Sequence, residues 1–172
     1  MLGKISTLGV LVLRSNEFYG HVGPPPGNDG SNYTFEMLQI FDLSSNNFTG
    51  SLPSECFKNL KALKVNPDLN TVDYRYLELS KSSYYQNSIT VTSKGLVMTL
   101  VKILTIFTSI DFSSNHFEGG IPEVIGELNS LVVLNMSHNA LTGEIPPQLG
   151  NLLQLESLDL SSNDLSGEIP QH

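Results

Sequence analysis

Four side chains recur at one offset and are the clearest candidates for chemistry: Asp42, Asp111, Asn135 and Asp159, each two residues ahead of Ser44, Ser113, Ser137 or Ser161. Carboxylates held side by side can divide general acid and general base duties between them. The same column also suits ligand contact or plain structural consensus, because a repeated sequence generates such a column whether or not it does chemistry. Nothing else in the chain adds a reaction centre. His21, His116, His138 and His172 show no metal-ligand spacing, and there is no Gly-rich phosphate loop, kinase signature, G-x-S-x-G elbow or H-E-x-x-H helix. The single cysteine, Cys56, takes the place of Ile125 and Leu149 in the aligned copies and reads as a small buried apolar residue. No catalytic residue, metal or cofactor is assigned, and the expectation is a binding protein rather than an enzyme.

The elements that position the column are written three times after Phe107, as FTSIDFSSNHFEGGIPEVIGELNS, LVVLNMSHNALTGEIPPQLGNLLQ and LESLDLSSNDLSGEIPQH. Apolar residues at L-x-x-L-x-L with an Asn three positions on form the signature of a leucine-rich repeat. In Leu131 to Met136, Leu134 and Met136 alternate with Val133 and Asn135, the period of a short strand with one buried face. Val133, Asn135 and Ser137 are thus expected to face outward. Asn16, Asn46, Asn115, Asn139 and Asn163 recur at the turn, where a carboxamide can bond backbone groups of neighbouring coils. The fold class is an α/β repeat: a solenoid with short parallel strands on its concave face.

Two earlier copies match, Leu8 to Val22 and Leu38 to Pro53, and they set the domain reading. Residues 1–63 hold repeats 1 and 2 with a Pro/Gly-rich insertion at 23–37, residues 64–106 form an island, and residues 107–172 hold repeats 3 to 5 without a cap. Within the island, Leu96, Leu100, Ile103 or Leu104 and Phe107 recur at helical spacing, which predicts an amphipathic helix. The formal charge is −8, and every Lys and Arg lies at or before Lys102. That balance disfavours nucleic acid as a partner and suits a basic one. Leu96 to Ile110 is the longest apolar stretch, but it falls short of the ~20 residues that span a bilayer and contains Lys102. Met1 to Leu13 fits the repeat better than a signal peptide. The expectation is a chain without targeting signal, anchor or membrane span.

Candidate ligand contacts on the concave face are Arg14, Asp42, Ser44, Asp111, Ser113, Asn135, Ser137, Asp159 and Ser161. The island adds Tyr84, Tyr85, Gln86 and Lys94, amphipathic and hydrogen-bonding groups of the kind found at recognition surfaces. Three glycosylation sequons begin at Asn32, Asn47 and Asn135, and together they lean towards an extracellular setting. A glycan on Asn135 would obstruct ligand contact on the concave face.

The L-x-G-x-I-P ending, as in LTGEIP and LSGEIP, and the run YYQNSITVTSKGLVMTLVKILTIFTSIDFSSNHFEGGIPE resemble plant leucine-rich repeat receptor-like proteins of the Verticillium wilt resistance and Cf types. The resemblance implies an ectodomain segment at the plasma membrane, exposed outside the cell. There the island and adjoining repeats recognise a protein or peptide ligand, the last repeats engage a co-receptor kinase, and partner or adaptor kinases carry the defence signal. Such receptors have caps, many more repeats and a transmembrane helix, so the chain reads as a fragment or a truncated product. The alternatives are a secreted repeat inhibitor of a cell-wall-degrading enzyme and a nonfunctional truncated paralogue.

Overall fold

The computed structural model describes residues 5–23, 35–65, 78–80, 83–84, 88–93, 96–101, 103–104 and 106–171, with backbone alone for 78–80, 83–84 and 93. Each of five coils contributes two short strands. In chain order these are β1 (Val10–Val12) and β2 (Tyr19–Gly20), then β3 (Ile40–Asp42) and β4 (Asn47–Ser51). Four strands lie between coils two and three: β5 (Glu78–Ser80), β6 (Ser83–Tyr84), β7 (Ile89–Ser93) and β8 (Leu96–Leu100). The last three coils supply β9 (Ser109–Asp111) and β10 (His116–Gly119), β11 (Val133–Asn135) and β12 (Ala140–Gly143), and β13 (Ser157–Asp159) and β14 (Asp164–Leu165).

The concave sheet runs β1-β3-β9-β11-β13, all parallel. A second parallel sheet, β14-β12-β10-β4-β2, lines the flank, and nothing in the sequence reading anticipated it. Strand β3 pairs directly with β9, Phe41 opposite Ile110, although the two are separated by the whole island. Inward residues of each coil then stack on those of the next, at roughly 1.5 to 3 kcal/mol per buried side chain. The main core runs from Leu38, Phe41 and Leu43 through Ile110, Phe112 and Phe117 to Leu134, Met136 and Leu141. Phe112 is its hub, with ring centroids 5.0 Å from Phe41, 5.8 Å from Phe57 and 5.6 Å from Phe117. Phe18, Phe48 and Phe117 form a second column with 6.3 Å steps.

The Asn residues stitch coil to coil. Asn115 donates to the carbonyl of Leu43 in the preceding coil at 3.0 Å, and its Oδ1 accepts from the Phe48 N–H at 3.1 Å. Asn46, Asn139 and Asn163 repeat the donation to Leu13, Phe112 and Met136, while Asn16 bonds the carbonyls of Leu13 and Arg14 in its own coil. The residue before each Asn is left-handed: Ser15, Ser45, Ser114, His138 and Ser162 have φ of 54° to 56°. That conformation costs an L-residue about 1 to 2 kcal/mol, which the Asn bonds offset.

Short helical turns fill the convex side, namely α1 (Ser54–Lys58) and 3-10 turns at Lys61–Lys64, Glu123–Glu127 and Pro147–Asn151. The last two approach so closely that a Cβ on Gly126 would lie 2.3 Å from the Gln148 carbonyl oxygen. Cys56 lies in α1 against the main core, and burial pushes its thiol up to about 12.

The island departs from the predicted helix. Leu96–Leu100 is a strand, paired antiparallel with Ile89–Ser93 so that Val91 faces Met98. Two physical facts override the helical spacing. Ile89 to Ser93 reads ITVTS, rich in β-branched residues, and only Lys94 and Gly95 separate it from LVMTL. The hairpin lies on the concave sheet, where Ile89, Val91 and Ile103 pack with the outward-pointing Ile40 and with Val10, Leu100 and Phe107.

Candidate functional site

The concave column assembles in register, Asp42 beside Asp111, Asp111 beside Asn135 and Asn135 beside Asp159. Its environment corrects the expectation of an open, solvent-facing surface. Asp42, Asp111 and Asn135 are 3%, 4% and 5% exposed, and Ser44, Ser113 and Ser137 are buried with them. The cause is the hairpin above and the neighbouring strands beside them. Ile40, though it points away from the main core, is 1% exposed. The two ends are more open: Val12, the partner of Asp42 in the first coil, is exposed, and in the last coil Asp159 is half-buried and Ser161 exposed. Asn135 is likewise no open glycan site on the concave face.

Each acidic or amide side chain of the column is engaged within its own coil. The hydroxyls of Ser44, Ser113, Ser137 and Ser161 donate to Oδ1 of Asp42, Asp111, Asn135 and Asp159 at 2.6, 2.6, 2.8 and 2.7 Å. The backbone N–H of the same serines donates to the same oxygens at 2.9 to 3.1 Å. This bond pattern ends the concave strand and aims the chain into its left-handed turn.

Arg14 closes the N-terminal edge. Its Nε lies 3.8 Å from Asp42 Oδ2, and its Nη1 donates to the Thr90 carbonyl of the hairpin at 3.2 Å. One side chain thus ties the first coil, the second coil and the island together. Beside it a cavity of about 480 Å³ opens between β1 and β7, walled by Val10, Val12 and Ile89 with Arg14, Ser88 and Thr90. His116 and His138 are exposed. Tyr84 is placed in β6 by its backbone, while Tyr85, Gln86, Lys94 and Asn32 lie outside the described residues.

Burial pushes the Asp111 carboxyl above its ordinary 3.8, with Asp42 adding to the effect and Ser113 and Arg14 opposing it. At Asp159 burial pushes the same way but is outweighed by the Ser161 hydroxyl and N–H, with His138 adding to them, and the carboxyl falls below 3.8. For Asp111 the ionised form is the one disfavoured by folding, so its contribution to stability falls as pH rises above 3.8 through the folded value. Asn135 shows that a carboxamide occupies the same register with the same serine bonds. Asp111→Asn is therefore expected to raise Tm by a few degrees at pH 7 and by less at pH 3.5, as read by calorimetry at both values. An equal or larger gain in acid would contradict this account of Asp111.

The Leucine Rich Repeat family model matches residues 37–60, 107–128, 130–152 and 154–172, the last four of the five coils that the strands define. The chain belongs to the leucine-rich repeat family. Receptor-like protein 35 of Arabidopsis thaliana is 47% identical over 135 residues, 77% of this chain and 13% of that protein. The resemblance to plant leucine-rich repeat receptor-like proteins therefore holds, and the chain spans about an eighth of that relative's length. The leucine-rich repeat ectodomain of the Arabidopsis receptor kinase HAESA, solved with an extended IDA peptide hormone ligand, superposes with a TM-score of 0.64 at 28% identity, covering 99% of this chain and 20% of that one. HAESA in complex with IDA and the co-receptor SERK1 gives 0.51 at 27% identity, covering 98% of this chain and 24% of that one. Among the described residues no helix of this leucine-rich repeat chain is long and apolar enough to cross a membrane.

One signal for the covered concave face was present in the sequence. Val10, Ile40 and Val133 stand at the outward strand position that Ser109 and Ser157 hold in other coils. Apolar residues on a face meant for solvent indicate that something covers it.

Proposed function

We propose that this chain is a ligand-recognition and co-receptor-binding segment of a plant receptor-like protein in defence signalling, displayed outside the cell and without catalytic activity of its own. The observation that carries the reading is the hairpin seated on the concave sheet, which turns a regular array into a composite surface of rigid coils and an irregular insert. A protein or peptide ligand fits such a surface, as a stiff scaffold presenting a loop-borne contact suits recognition. The non-enzymatic reading is supported by the column, whose carboxylates are each bonded by a serine of their own coil. Coils three to five, with acids and no Lys or Arg, supply a face for a co-receptor with basic complement.

The test is biolayer interferometry of the immobilised full chain against the ectodomain of a SERK-type co-receptor kinase. Micromolar binding is expected, and Asp164→Lys with Glu168→Lys, both exposed on the last coil, should weaken it about tenfold, or ~1.4 kcal/mol. No binding at co-receptor concentrations up to about 100 µM would remove the co-receptor role.

A further inference from the structure

We infer that Asn47 carries an N-linked glycan whose first sugar packs on the ring of Tyr19. The inference rests on the extracellular reading above, since the modification belongs to the secretory pathway. Asn47, Phe48 and Thr49 make the sequon and lie in β4. Phe48 stacks between Phe18 and Phe117, so strand alternation turns Asn47 and Thr49 to the other side, and Asn47 is exposed. Strand β2 pairs with β4 so that Tyr19 is the partner of Asn47. Partners in neighbouring strands stand roughly 4.8 Å apart with side chains on one face. Tyr19 is 82% exposed, an aromatic face beside the carboxamide nitrogen on which the C–H face of a hexosamine can lie.

The transfer balances without any group from this chain beyond the sequon. The Asn47 Nδ2 attacks C1 of an oligosaccharide carried on a lipid diphosphate, the C1–N bond forms as the C1–O bond breaks, the amide gives up one proton and the lipid diphosphate leaves. The sequon at Asn135 contrasts in burial and in hydrogen bonding. Asn135 is 5% exposed, and its Oδ1 accepts from the N–H and hydroxyl of Ser137, the sequon's own third residue. Transfer acts on the extended chain, so both sequons are offered to it. Chains that take a sugar at Asn135 cannot close the concave face, and folded molecules carry one at Asn47.

The experiment secretes the full chain behind a cleavable signal peptide from kifunensine-treated cultured cells. Endoglycosidase H then leaves a single N-acetylglucosamine, and peptide mass spectrometry reads occupancy. Asn47 is expected to be modified in most folded molecules and free in Thr49→Ala, with Asn135 unmodified. The retained sugar should raise Tm by about 1 to 3 °C over Asn47→Gln, and Tyr19→Ala should abolish that gain while leaving the sugar-free Tm unchanged. An unmodified Asn47, a sugar on Asn135 in folded chain, or the same gain without the ring would overturn the inference. Asn47→Gln should leave co-receptor binding unaltered, so failure of the glycan and failure of the binding role are read separately.

Discussion

Asn115→Ala is expected to cost about 2 to 4 kcal/mol, more than the same change at the end of the stack. Asn115 is buried, and its removal leaves the Phe48 N–H without its acceptor, while the Leu43 carbonyl loses one of two donors and keeps the Asn46 amide. Each unpaired buried group costs roughly 1 to 3 kcal/mol. The left-handed Ser114 loses at the same time the bonds that hold its turn, those from Asn115 to the carbonyls of Phe112 and Ser113. Asn163 makes the matching bonds to Met136, but it is only half-buried, and water can replace what Ala removes, leaving a cost of about 1 kcal/mol. Urea unfolding of the two variants measures the difference. Equal losses would show that the junction between coils two and three is no more critical than the last turn.

The second large effect concerns the hairpin. Ile89→Asp with Val91→Asp places two carboxylates against Ile40, Ile103 and Val10, a cost of several kcal/mol that detachment avoids. A two-stranded hairpin is at best marginal by itself in water, so release from the sheet also melts it. Hydrogen exchange at the β7 and β8 amides should therefore accelerate by about a hundredfold or more, corresponding to at least ~2.7 kcal/mol of local protection. The main core shares none of these residues, so protection at Ser109–Asp111 and Val133–Asn135 should persist. Faster exchange throughout the stack would mean that the hairpin is part of the cooperative core rather than a strap on it.

The coils were legible because each is written with the same residues at the same offsets. An inward apolar residue such as Leu134 and a turn residue such as Asn139 announce themselves by repetition. Gly119 and Gly143 did so too, at φ of 77° and 81°, angles that favour glycine. The flanking sheet was not legible, because strands as short as Tyr19–Gly20 and Asp164–Leu165 exist only when coils stack and carry no period of their own. The hairpin failed for a different reason. Leu96, Leu100 and Ile103 fit a helical period by chance spacing, whereas the β-branched ITVTS and the two-residue Lys94-Gly95 link are local signals that outweigh it. Burial of the Asp column could not be read from its own residues, since it depends on where a distant segment lands. Ile40 was the available clue.

The direct pairing of Ile40–Asp42 with Ser109–Asp111 has a consequence for chain entropy. Leu38 and Phe107 begin successive coils, yet 69 positions separate them where 24 is the norm, and both counts follow from the residue numbers. Loop-closure cost grows only with the logarithm of length, so the detour adds about 1 kcal/mol beyond an ordinary coil. One carboxamide bridging the junction repays that sum. An insertion at this point can therefore lengthen, shorten or change its sequence almost without thermodynamic penalty, and the coils on either side would keep their register while the surface laid over them varies.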